Sequence, residues 1–202
     1  MIARYKVLTE RLRSELQPLE QIVERVEGAL ARSVQQPENE IYFIAAAALD
    51  LHGFYVGLEH LFEMIATEID GGLPKSARWH RDLLEQMTLS IQEVRPAVIS
   101  SQTRDALVEY LEFRHVVCNV YTSSLRSERL SELVQALRLT FELVQRDLLA
   151  FAEFLDNLAK ADDFDETLWL KAAATNPAFD FLNDPEEDIY TLADGKPLQD
   201  EV

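Results

Sequence analysis

A single cysteine, Cys118, stands among 202 residues, so no internal disulfide can form and the chain fits a reducing compartment. Glycine is also scarce, at six. None of the six lies in a G-x-x-x-x-G-K-[ST] or G-x-G-x-x-G arrangement, which excludes the phosphate-cradling loops built on those spacings. Basic residues are outnumbered, 19 Lys and Arg against 36 Asp and Glu, for a net charge of −17. General nucleic-acid binding is driven by phosphate neutralisation and counterion release, so this balance argues against it and leaves room only for a small, locally basic RNA site. The longest apolar run, Ile41 to Leu49, falls far short of the ~20 residues of a membrane span. Arg4 and Lys6 are not followed by a signal-peptide core. The expectation is a cytoplasmic protein with neither membrane nor DNA as partner.

What is present is a helical pattern. Of all residues, 48% are hydrophobic, and a core of roughly 150 residues can bury about 70% of its unfolded surface without a metal or disulfide. Apolar residues recur at helical spacing from Ile2 to Leu30, interrupted by Pro18, where a kink or break is expected near Gln17. A second helix is predicted over 38–70, its alanine run allowing a neighbour to approach closely, with Gly71-Gly72 and Pro74 ending it. A shorter helix follows over 77–90, and Pro96 marks an extended connection. Ser101 or Thr103 then caps a helix reaching about Tyr121. After the polar break Thr122-Ser123-Ser124, a long helix carries Leu130, Leu137, Val144, Leu148 and Leu155 on one stripe. No strand alternation appears before residue 160. The fold class is all-α, a bundle of long antiparallel helices.

The acid excess is concentrated at the end. Residues 160–202 hold 3 Lys against 12 Asp and Glu, and three of the seven prolines. Composition therefore divides the chain into a helical domain over 1–158 and an acidic tail over 159–202. Within the tail Asp165 is expected to cap a short helix to about Ala174, followed by an extended segment.

Few chemical motifs survive inspection. Glu112 and His115 have the E-x-x-H spacing of carboxylate-bridged metal bundles, but such sites need a second E-x-x-H and two more carboxylates, and no other histidine has Glu three residues before it. No metal and no other cofactor is expected. Cys118 near His115 reads as a small apolar side chain rather than a nucleophile. What remains is the run Arg114 to Tyr121. Seven residues apart on a helix, Arg114 and Tyr121 are only ~20° apart in azimuth. His115 and Asn119 lie one turn apart on the neighbouring strip. Four polar groups thus cluster at the end of an otherwise apolar helix, either as a functional site or as a capped end with a satisfied buried network.

At this run the sequence resembles the HEPN superfamily, and more narrowly the HepT-like ribonuclease toxins of MNT–HEPN toxin–antitoxin modules. That motif is an arginine, a polar residue, three positions, a histidine, any residue and a tyrosine. Arg114, His115 and Tyr121 match it. The stretches H-G-F-Y-V-G-L-E-H-L-F-E-M-I-A (52–66) and W-H-R-D-L-L-E-Q-M (79–87) support the match. The motif histidine, however, is replaced by Asn119, and an amide cannot exchange a proton near neutral pH as imidazole does. The resemblance implies a metal-independent endoribonuclease at a two-fold dimer, with Arg114, His115 and Asn119 as the catalytic positions. His115 is the residue placed to take over proton transfer. It further implies a homodimer and a nucleotidyltransferase antitoxin of the MNT type that modifies Tyr121. The alternative is a catalytically degenerate dimer acting as a binding module or antitoxin. Residues 176–198 resemble the C-terminal segments of type II antitoxins, whose aromatic anchors on an acidic strand suit a basic toxin partner.

Overall fold

A computed structural model describes residues 2–119 and 127–174 of the chain. Among these residues there are five α-helices: α1 (Ile2–Gln35), α2 (Glu40–Glu68), α3 (Trp79–Met87), α4 (Ser101–Asn119) and α5 (Ser127–Ala174), with a 3-10 turn at Pro37–Asn39. The fold class is all-α, as the apolar periodicity requires. The chain separates into two compact units, Met1–Ala159 and Lys160–Val202. Of the acidic tail's predicted extended segment, residues 176–198 lie outside the described residues.

The first unit is built on a long α1–α2 hairpin. Leu12, Leu16, Leu19, Val23 and Val26 of α1 are buried against Leu51, Phe54, Leu58, Phe62 and Ile65 of α2. Ala47 and Ala48 are buried, and a Cβ on Gly57 would stand 2.9 Å from Leu19 Cδ2. The small side chains therefore set how closely α2 approaches its neighbour. From α4, Tyr110 meets Phe54 edge-on at 5.7 Å, and Phe141 of α5 meets Phe54 at 6.5 Å in the same manner. The Tyr110 hydroxyl donates to the Leu133 carbonyl at 2.9 Å, which satisfies its buried polar end. Arg13 to Asp156 and Arg138 to Glu27, both 2.6 Å, tie α1 to α5 at the rim.

Three local expectations are corrected. Of the kink or break expected near Gln17, the break is absent: helix α1 continues through Pro18. An internal proline costs about 3 kcal/mol, and buried leucines on both sides, Leu12 and Leu16 before it and Leu19 after it, offset that cost. The cap of α4 is supplied by Ser100 rather than Ser101 or Thr103: Ser100 Oγ accepts the Thr103 N–H at 3.2 Å. The short helix expected from Asp165 is instead the last part of α5. The end of α2 follows the sequence, since Gly71 adopts φ +84° and the Gly72 N–H returns to the Ala66 carbonyl at 3.1 Å.

Helix α2 also has a second character. The segment Pro37–Glu68 is long and apolar enough, by length and composition alone, to cross a membrane. Asp50 ends the uninterrupted run Ile41 to Leu49, whereas apolar residues resume beyond it, which is why that run understates the segment. One face of that segment packs in the core just described. The other leaves Tyr42 71%, Leu49 68% and Val56 38% exposed, at intervals of seven residues.

The connection between α3 and α4 is fixed by one buried arginine. Arg95, whose side chain is fully buried, pairs in bidentate fashion with Asp70, with Nε to Oδ1 at 2.6 Å and Nη2 to Oδ2 at 2.7 Å. It also donates to the carbonyls of Gln86, Leu89 and Pro96. This network holds the 88–100 segment down, so that Val98 and Ile99 reach the core.

Candidate functional site

The site is built around the Arg114 guanidinium. Arg114 sits late in α4, one turn beyond the core residues Tyr110 and Leu111, so its side chain emerges where α2 and α3 pack against that helix. It is only 18% exposed. Its Nη2 stands 3.3 Å from Glu59 Oε2 of α2, and Nη1 stands 3.3 Å from His80 Nε2 of α3. Glu59 is buried, an unusual position for a carboxylate without a partner. Its other oxygen, Oε1, lies 2.6 Å from His80 Nδ1. Glu59, His80 and Arg114 thus close a triangle contributed by three helices.

The partners fix the tautomer of His80. A carboxylate can only accept, so Nδ1 carries the proton and donates to Glu59. A guanidinium can only donate, so Nε2 presents its lone pair to Arg114. The ring plane is held from two further sides. Trp79 lies against it with centroids 3.6 Å apart, and His115 meets it edge-on at 6.1 Å. The result is an oriented imidazole beside a cation, with a second imidazole, His115 of α4, against its ring.

Two more α2 residues face the cluster. His52 and Glu59 are seven residues apart, hence ~20° apart in azimuth on one helical face, with Tyr55 between them. Burial lowers the His52 pKa below its ordinary value, and the Arg114 charge adds to the effect. Burial, together with the Glu59 charge, pushes the Tyr55 phenol well above its ordinary range. His52 Nδ1 and Arg114 Nε are both buried with no hydrogen-bond partner among the described residues. Buried polar atoms are nearly always paired, and unpaired ones collect where a ligand or reaction needs them. Three of the chain's four histidines therefore surround one arginine; the fourth, His60, is exposed beside Glu63.

Of the residues singled out from sequence, Arg114 and His115 are brought to this site. His115 is exposed, on the outer side of the His80 ring. Asn119 closes α4, and its side chain, like that of Cys118, is not among those described. Tyr121 lies outside the described residues. Glu112 is engaged by Arg81 at 3.4 Å and Arg129 at 3.0 Å. Among the described residues no group of three or more His, Cys, Asp or Glu side chains is disposed to hold a metal ion.

Glu59, His80 and His52 were not picked out by motif reasoning, although they lie within the 52–66 and 79–87 stretches. The signal was present in α2. An apolar helix carries polar residues at 52, 55 and 59, a spacing that lines one face. Nothing local, however, points that face toward position 114, some fifty residues later.

Comparison with known proteins gives one result. A family model described as HepT-like protein matches residues 46–155, from within α2 to within α5. No match is found among curated proteins or among solved structures.

Proposed function

The chain belongs to the HepT-like family, and from that premise we propose that it is the HEPN component of a toxin–antitoxin module and cleaves RNA without metal at Arg114. Family membership fits such a component. The observation that supports cleavage is the gathering of His52, His80 and His115 on one partly buried guanidinium. RNA strand scission through the 2′-hydroxyl needs three things: a proton acceptor, a proton donor for the leaving oxygen, and positive charge for the five-coordinate phosphorus. Imidazoles and a guanidinium are the side chains that supply these at neutral pH. Arg114 takes the phosphate charge and the exposed His115 serves the leaving oxygen. Asn119, at the position of the family's motif histidine, contributes a hydrogen bond to phosphate at most.

A homodimer completes this reading. The exposed seam Tyr42, Leu49 and Val56 repeats every seven residues, the spacing that lets two helices pack along their length. His52 lies one turn before Val56, so a second copy on this seam borders the site. Leu49→Glu should convert a dimer to a monomer in sedimentation velocity. The MNT-type nucleotidyltransferase is the expected antitoxin, with Tyr121 as the residue it modifies, and the acidic segment 176–198 suits a basic toxin.

A specific observation favours a second reading. Glu59 already neutralises Arg114, and the family's imidazole position holds Asn119. Both suit a degenerate dimer that binds a partner rather than cleaving RNA. Incubating the purified protein with RNA in EDTA decides between them. Cleavage that persists in EDTA and vanishes in Arg114→Ala supports the enzyme; intact RNA supports the binding module.

A further inference from the structure

We infer that His80, oriented by the buried carboxylate of Glu59, is the group that accepts the 2′-hydroxyl proton in this chain. This rests on the RNA-cleaving reading above and names its missing base. Asn119 cannot take a proton near neutral pH, so the acceptor must come from elsewhere in the fold. Three features single out His80 among the histidines. Its Nδ1 is committed to Glu59 at 2.6 Å, which leaves Nε2 as the lone-pair face. That face looks at Arg114 Nη1 at 3.3 Å, the cation that would hold the scissile phosphate. Its ring is clamped between Trp79 and the edge of His115, so it cannot swing away. At His52, by contrast, burial holds the pKa down.

The step balances as follows. A phosphate oxygen takes over the Arg114 N–H that Nε2 accepts in the free protein. Nε2 removes the proton from the 2′-hydroxyl as that oxygen bonds to phosphorus. The bond from phosphorus to the 5′-oxygen breaks, and the leaving oxygen receives a proton from His115. The products are a 2′,3′-cyclic phosphate and a 5′-hydroxyl, and water returns the protons to their starting positions. Glu59 is a positioning residue: it touches no reacting atom but fixes which nitrogen faces the phosphate. A carboxylate that is buried and shared between an imidazole and a guanidinium gives both a single geometry.

The test is RNA cleavage in EDTA by wild type, His80→Asn, His80→Ala and Arg114→Ala. Asparagine keeps an N–H for Glu59 and removes Nε2, so His80→Asn should fold with a wild-type thermal melt. It should lose ~10²–10⁴-fold in kcat, the range for removing a general base, with KM little changed. Exogenous imidazole should restore part of the activity to His80→Ala and none to Arg114→Ala, a rescue that a merely structural role would not produce. His80→Asn cleaving at the wild-type rate while Arg114→Ala is inert would overturn the inference and leave the RNA-cleaving reading standing. A wild type that is inert and awakens with Asn119→His would overturn both, since native catalysis would then be absent.

Discussion

Deleting Arg114 should destabilise the fold as well as the chemistry, and the size of that effect follows from Glu59. The Glu59 side chain is 6% exposed and has two partners, Arg114 and His80. Arg114→Ala leaves the carboxylate buried with His80 alone. Removing one member of a buried ion pair costs about 3–5 kcal/mol, because the other charge stays desolvated. Arg114 itself is 18% exposed and His80 keeps its hydrogen bond, so the lower end applies, about 3 kcal/mol. For a chain of this size about 2–4 °C of melting temperature corresponds to each kcal/mol, giving a fall of roughly 6–12 °C. Glu59→Gln has nearly the same shape but no charge to strand. Placed on the Arg114→Ala background it should therefore cost little more or recover some stability. The coupling in a double-mutant cycle should be roughly 1–3 kcal/mol. Thermal and urea unfolding followed by circular dichroism reads all four proteins. Additivity of the two single changes to within about 0.5 kcal/mol would refute the claim that this carboxylate depends on Arg114. The same arithmetic governs the RNA assay, where Arg114→Ala must be compared with wild type well below its lowered melting point.

Two further outcomes follow from the buried polar groups. Arg95→Met should cost about 3–5 kcal/mol in urea unfolding, since it strands Asp70 and the Gln86, Leu89 and Pro96 carbonyls together; a loss under 1 kcal/mol would show that the 88–100 segment does not depend on it. For Asp147, burial alone would raise the carboxyl pKa, but hydrogen bonds from the Ser100 N–H at 2.8 Å and the Thr103 hydroxyl at 2.5 Å outweigh it and hold the value below the ordinary aspartate range. A depressed folded value means the unfolded chain binds the proton more readily. The stabilisation is therefore full above pH ~4, the ordinary aspartate range, and is lost as pH falls through the folded value. Asp147→Asn should be less stable than wild type at pH 7, with the gap closing toward pH 2; a constant gap across that range would rule out the carboxylate as its source.

The local arrangement at Asp147 shows why helix ends are only partly legible in a sequence. Ser100, Ser101 and Thr103 are all acceptable capping residues, so the run predicts that a helix begins there. Which of them caps is decided by Asp147 of α5, which takes the Ser100 N–H and the Thr103 hydroxyl and so leaves Ser100 Oγ for the Thr103 N–H. Pro18 teaches the complementary lesson. Its cost is local and visible, but the burial of Leu12, Leu16 and Leu19 that outweighs it exists only once the facing helix covers them. The pattern around Arg114 and His115 is legible for a local reason, because residues on one helix are related by a fixed rotation.

Apolar periodicity, the glycine pair after α2 and the polar run beginning at Arg114 were enough to determine an all-α chain and to put Arg114 and His115 late on one helix. Those features depend on residues within a few turns of one another, where helical geometry fixes who is neighbour to whom. Tertiary structure alone decided that Glu59 and His80 would meet Arg114, since three helices separated by 21 and 34 residues of chain must pack before the triangle exists. Long-range neighbours are set by which apolar faces bury one another, and a polar residue carried on the margin of such a face takes its partner from that packing.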